Sequence, residues 1–127
     1  MRGGVFRVLS KLLYLKILHK YGCIIYPNAK VSKGFYISHP VGIVIGCCEI
    51  GENFNILQNA TIGIRRVGDE QRGLIPKIGN NVRLCANSII MGDVHVTDNV
   101  IIGANSVVIS DITESGTYAG SPAKRVK

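Results

Sequence analysis

With 127 residues the chain has room for one hydrophobic core rather than two. It is rich in Ile, Val and Gly, sparing with aromatics and devoid of Trp, which disfavours a sandwich built around large rings and suits many short strands joined by tight turns. The net charge of +7 suits a small polyanion, a membrane surface or nucleic acid, but the charges are scattered and no stacking aromatics alternate with them, so nucleic acid is not indicated.

The chain opens with MRGGVFRVLSKLLYLKILHKYG. Lys11 and Lys16 interrupt its apolar run and no A-x-A-like cleavage site follows, so neither a secretory signal nor a membrane span is read here. A helix is predicted from Val5 to about His19, with Gly22 as its C′ stop. Residues 1–22 are thus an N-terminal helical cap, for which weak contact with an anionic membrane surface is a minor option. The four cysteines, Cys23, Cys47, Cys48 and Cys85, lack C-x-x-C spacing and read as small thiols of a reducing cytoplasm rather than a disulfide framework or zinc site.

From Ile25 a repeat begins. Aliphatics stand six residues apart at Ile25, Val31, Ile37 and Ile43. After one extra residue they resume at Ile50, Ile56 and Ile62, and after a longer interruption at Ile78, Leu84, Ile90, Val96, Ile102 and Val108. A second series follows four residues behind: Ala29, Val41, Cys47, Ala60, Val82, Ser88, Val94, Val100 and Ser106, with the larger Phe35 and Phe54 among them. Six is a multiple of the strand period and does not fit a helix. A recurring inward aliphatic, a short strand and a turn of small residues describe a β-solenoid over residues 23–127, each strand pairing with its equivalent one coil away. The helix and the non-repeating tail after Ile112 are expected to protect its open ends.

This pattern resembles the hexapeptide-repeat acyltransferases. The resemblance implies an all-β, left-handed parallel β-helix of triangular section with three hexads to a coil. Taking every third hexad places Ile37, Ile56, Leu84 and Ile102 in one column. Two residues on, His39, Gln58, Ala86 and Ala104 form another column at a turn of the prism. Small side chains at successive levels leave a shallow groove in which a pantetheine arm can approach the backbone. Residues 64–77 form an insertion carrying Arg65, Arg66 and Arg72 against Asp69 and Glu70, and a long insertion at one corner of a solenoid reads as a functional loop, an arm over a neighbouring subunit's groove.

Within the superfamily the chain is similar to serine acetyltransferases and their relatives in surface-polysaccharide gene sets, over about residues 24–127. The likeness rests on GFYISHPVGIVIG, ILQNATIGI, IPKIGNNV, IIGANSVVISDI and AGSPAKRV. It implies acetyl-CoA as co-substrate, His39 as general base on an acceptor hydroxyl, and a backbone N–H near Gly63 for the oxyanion. Ala86 and Ala104 would line the cofactor groove, with Lys124, Arg125 and Lys127 toward the adenosine phosphates. Ser38, Gln58, Arg65 and Arg66 are candidates on the acceptor side. A cytoplasmic homotrimer with active sites between prisms is implied as well.

Departures from the family touch the acceptor. Ile24 stands where the family has the aspartate that orients the histidine, Ser38 where it has the one preceding it, and Leu74-Ile75 where it has Arg-His before Pro-Lys-Ile. The groups that would grip an amino acid are therefore missing or apolar, and the expected reaction is O-acetylation of a sugar in surface-polysaccharide biosynthesis, with serine O-acetylation as the alternative. Two further readings are a zinc-dependent β-helical carbonic anhydrase, opposed by the placement of His19, His39 and His95 on different elements, and a non-catalytic scaffold, opposed by His39.

Overall fold

A computed structural model describes residues 2–127. Helix α1 runs Arg2–Tyr21, slightly longer than the sequence suggests. It stops where Gly22 turns into the left-handed region (φ 61°) and donates its N–H to the Leu18 carbonyl, the arrangement that satisfies an orphan carbonyl at a helix end. Of the helix only Ile17 packs against the core, whereas Val5, Phe6, Val8, Leu9, Leu12 and Leu13 stay exposed. As a cap, α1 covers less than expected.

The rest is a parallel β-helix. The first coil holds β1 (Ile24–Ile25), β2 (Lys30–Val31) and β3 (Tyr36–Ile37). The second holds β4 (Val44–Ile45), β5 (Glu49–Ile50) and β6 (Asn55–Ile56), and the third β7 (Thr61–Gly63), β8 (Lys77–Ile78) and β9 (Arg83–Leu84). The fourth holds β10 (Ile89–Met91), β11 (His95–Val96) and β12 (Val100–Ile102), and the last β13 (Val107–Val108) and β14 (Gly116–Ala119). Strands stack face by face as β1-β4-β7-β10-β13, β2-β5-β8-β11 and β3-β6-β9-β12-β14, with Ile112 bridging to Val96 on the second face. The tail after Ile112 thus continues the solenoid. Its edge is then covered by β15 (Lys124–Arg125), which pairs antiparallel with β14.

The six-residue period holds because each hexad sends one aliphatic inward at the same height. Ile56, Ile62, Leu84, Ile90 and Ile102 have no exposed surface. The registers Ile37↔Ile56, Ile56↔Leu84 and Leu84↔Ile102 confirm the expected column. Its frame needs correction in the second coil. Ile45, not Ile43, pairs with Ile25 and Ile62. Ile43 belongs to the second series, beside Cys23 and Ala60, because the Ile43 carbonyl accepts Ile24 N–H and Val44 N–H reaches the Ala60 carbonyl. Cys48, not Cys47, stacks over Ala29, its carbonyl accepting Lys30 N–H at 2.9 Å. Val41 leaves the series and lies exposed at a corner.

Asparagines hold two of the three corners. Asn53, Asn81 and Asn99 take left-handed φ values of 56°, 55° and 58°, and Asn59, Asn87 and Asn105 values of 57°, 60° and 58°, a conformation Asn tolerates better than other side chains. Their carboxamides form rungs: Asn53 Nδ2 donates to Asn81 Oδ1 (3.0 Å), Asn81 to Asn99 (3.2 Å) and Asn87 to Asn105 (3.1 Å).

All four thiols are free, with Cys23 and Cys48 buried. Burial foremost, then neighbouring Cys47 and Glu49, pushes the Cys48 thiol from its ordinary 9.0 up to about 12. A thiol reagent at neutral pH is accordingly expected to label Cys47 and Cys85 in the native protein and to reach Cys23 and Cys48 only after unfolding. The linkage has a definite sign. Between about pH 9 and 12 an unfolded chain has lost the Cys48 proton that the native chain retains, so stability falls as pH rises through that window.

Candidate active site

His39 stands on a corner longer than the others. Between Ile37 and Ile45 lie two residues more than between Ile56 and Ile62. The surplus forms a tight reversal in which Val41 N–H donates to the His39 carbonyl at 2.8 Å. The coil above closes over it: Asn59 N–H donates to the Val41 carbonyl, also at 2.8 Å. Gly42, with φ 63°, occupies the level below Asn59, where a Cβ would collide with the Asn59 carboxamide. Glycine is required there both for the backbone conformation and for the close approach. The detour lifts His39 to an exposed position while β3 and β4 keep their register with the next coil.

Along the same edge above it come Gln58, Ala86 and Ala104. Gln58 and Ala86 offer their carbonyls to Asn87 N–H (3.1 Å) and Asn105 N–H (3.0 Å). One imidazole therefore shares an edge with two methyl-bearing levels, as the columns predict. Gln58 Oε1 is buried without a hydrogen-bond partner, an unmet acceptor one coil above the histidine's level. Side-chain bonding at this corner goes to Ser38: Asn55 Nδ2 donates to Ser38 Oγ at 3.1 Å and to the Tyr36 carbonyl at 3.3 Å. Asn55 is a contributor the sequence reading missed; its place one coil above Tyr36 was the available signal. Ile24, which the resemblance sets in the place of an orienting aspartate, is a strand residue paired with Val44.

Gly63 and the arginines lie on another edge. Gly63 closes β7 and pairs with Met91, at the corner after the first face, one strand away from the His39 corner along that face and two strands away in the other direction around the coil. The insertion leaves from there and folds on itself. A 3-10 turn, Asp69–Arg72, sits between left-handed Gly68 and Gly73. Asp69 is buried, accepts Arg66 N–H at 2.9 Å and lies 3.9 Å from Arg72. Arg65 Nη2 reaches the Ile109 carbonyl at 3.5 Å, while the Val67 side chain at the tip is 99% exposed. Buried Ile75 and Pro76 seat the returning strand. Within one chain, then, His39, Gln58, Ala86 and Ala104 come together, whereas Gly63, Arg65 and Arg66 do not join them.

At the upper end of the His39 edge, Gly120 N–H donates to Ser106 Oγ at 3.1 Å and Lys124 pairs with Ala119. Lys124 and Lys127 are exposed. Arg125 is engaged with its own chain, 3.3 Å from Glu114 Oε2 and 3.1 Å from the Ser115 carbonyl, and so is less free for phosphate than expected. His95 lies on the second face, 3.8 Å from Asp111, and His19 on α1. Among the described residues no three His, Cys, Asp or Glu side chains are grouped as metal ligands.

Comparison with known proteins agrees with this architecture. Residues 75–110 match the family model described as bacterial transferase hexapeptide (six repeats). A serine acetyltransferase of Staphylococcus epidermidis is 42% identical over 107 residues, covering 84% of this chain and 49% of that protein. The Neisseria gonorrhoeae serine acetyltransferase in complex with serine superposes with a TM-score of 0.83 at 35% identity, covering 95% of this chain and 49% of that one. A serine acetyltransferase complexed with CoA gives a TM-score of 0.77 at 32% identity over 94% of this chain and 48% of that one. The chain spans about half the length of the curated relatives it matches. Repeat period, coil stacking and these likenesses converge: the chain belongs to the hexapeptide-repeat transferase superfamily.

Proposed function

We propose that the chain is an acetyl-CoA-dependent O-acetyltransferase in which His39 is the general base. The observation that carries this reading is the lengthened corner, which presents an exposed imidazole at the foot of an edge whose levels above Gln58 end in the small side chains of Ala86 and Ala104. An acceptor hydroxyl loses its proton to the imidazole as its oxygen attacks the thioester carbonyl. The tetrahedral intermediate then collapses, the C–S bond breaks, and the proton passes to the departing sulfur, leaving an O-acetyl ester and CoA. Holding both reactants in one groove supplies proximity. Support comes from the CoA-bound neighbour.

Serine is the acceptor we put first. The similar proteins are serine acetyltransferases, one of them holding serine, and the expectation of a surface-polysaccharide acceptor draws no support from them. A sugar hydroxyl stays as the second reading on one observation: Leu74 and Ile75 stand where that family has Arg-His, and Ile75 is buried, so neither gives a carboxylate a charged partner. CoA release measured with serine and with nucleotide-linked sugars separates the two. A higher kcat/KM for serine supports the first reading, and a preference for a sugar replaces it with the second.

The assembly we propose is a homotrimer whose clefts bring the Gly63 edge and insertion of one chain against the His39 edge of the next. Fully exposed Val67 at the insertion's tip and the separation of the two edges within one chain support it. The cofactor side has its own test. Ala86→Leu is expected to raise KM for acetyl-CoA about tenfold, equivalent to ~1.4 kcal/mol of lost binding, with little change in kcat. An unchanged KM would remove that edge from the cofactor path.

A further inference from the structure

Seven basic and no acidic residues precede Glu49, while the eight basic residues after it balance the eight acidic ones. The entire excess of +7 therefore lies in the first 48 residues, and α1 carries much of it through Arg2, Arg7, Lys11, Lys16 and Lys20.

The helix has two differently occupied sides. Phe6, Ser10, Tyr14 and Ile17 border a cavity of about 370 Å³ against Tyr26 and Pro27. On the other side Val5, Val8 and Leu12 follow one another at three- and four-residue steps and are 73%, 60% and 58% exposed, and Leu15, 37% exposed, continues their row to where it meets a cavity shared with Arg7, Lys11, Tyr26 and Pro27. At the α-helical angular step these four form one continuous stripe. The same geometry places Arg7 and Lys11 along one border of the stripe, while on the other side Lys16 and Lys20 stand between it and the exposed Leu9 and Leu13. No helix of the described residues is long and apolar enough to cross a membrane.

We propose that α1 lies in the surface of an anionic lipid bilayer, its Val5-Val8-Leu12-Leu15 stripe among the acyl chains and the flanking basic side chains extended to acidic headgroups. Lys and Arg accommodate this arrangement by laying their aliphatic stems along the apolar boundary with the charge in water. A second copy of the helix fits the stripe by spacing but not by charge. In a helix pair Lys11 and Lys16 would flank the seam and face only like charges, in either orientation, since α1 contains no acid to pair with them. A bilayer rich in acidic headgroups supplies the missing opposite charge.

The test is flotation of the full chain with vesicles of phosphatidylcholine alone and of phosphatidylcholine with phosphatidylglycerol. The chain is expected to float with the anionic vesicles, to stay behind with the neutral ones and to be released by high salt. Lys11→Gln and Lys16→Gln are each expected to lower partitioning roughly fivefold. Val8→Glu with Leu12→Glu is expected to abolish it while thermal unfolding of the β-helix is unchanged, because neither side chain touches the core. The lysine variants keep the test decisive should the glutamate pair disturb folding. Failure to bind anionic vesicles overturns the proposal, as does binding that the lysine variants leave unaltered. A concentration-dependent dimer dissolved by the glutamate pair, in a chain that ignores vesicles, assigns the stripe to a second copy instead.

Discussion

Replacing His39 by alanine is expected to lower kcat by about 10²–10⁴-fold, the range that a positioned acid–base group contributes, with KM for acetyl-CoA nearly unchanged. The reasoning is geometric. The imidazole is exposed on a corner and adds nothing to the stacked interior. The corner itself is held by backbone groups of Val41 and Asn59, so the variant should unfold at the same temperature as the parent. Steady-state kinetics alongside a thermal melt separate loss of chemistry from loss of structure. An undiminished kcat in a folded variant would remove His39 from the reaction, and a fall in Tm would assign it a structural part instead.

The largest effect on stability is expected at Leu84. It lies in the middle of its column, between Ile56 and Ile102, with no exposed surface. Truncation to alanine removes buried methyl groups and leaves a cavity that neighbouring coils cannot fill without shifting register, at a cost of about 2–5 kcal/mol. Coil stacks behave as chains of nearest-neighbour interactions, so a weakened central coil loosens both halves. Ile37 is the internal control, since it occupies the bottom level of the same column and is only half buried. Ile37→Ala should cost clearly less. Urea unfolding at several protein concentrations checks both variants and reveals any linkage to assembly. Equal losses at the two positions would contradict the column picture.

Most of the coil order was legible in the sequence because Ile, Leu and Val recur at fixed intervals wherever a strand turns a side chain inward. The errors cluster at one place, for a physical reason. Strand side chains alternate with a period of two, and the His39 corner adds two residues, so the inward-outward pattern passes through undisturbed. Ile43 and Ile45 are both fully buried, and nothing in their types distinguishes the level-setting residue from its neighbour. The compensation comes later, where Ile45 and Ile50 are only five apart, so a count of six from Ile43 lands on Cys47 instead of Cys48. The candidate site was legible in part for a related reason. His39, Gln58, Ala86 and Ala104 follow from counting along one chain. Which residues oppose them does not, because Gly63, Arg65 and Arg66 emerge on a different edge and counting is blind to a neighbouring molecule. The occupation of Arg125 by Glu114 and of Ser38 by Asn55 is equally silent in a repeat pattern.

The detour at residues 38–42 has a wider consequence. Its ends rejoin the stack as if it were not there, with Gly42 ceding room to the layer above. Corners are thus margins in which new text can be written without resetting the page: another arc of the same reach, with glycine kept at its upper end, would leave every interior layer where it was and, under the proposed mechanism, change only the chemistry. Reactivity and architecture are separately editable here, and tinkering with one need not endanger the other.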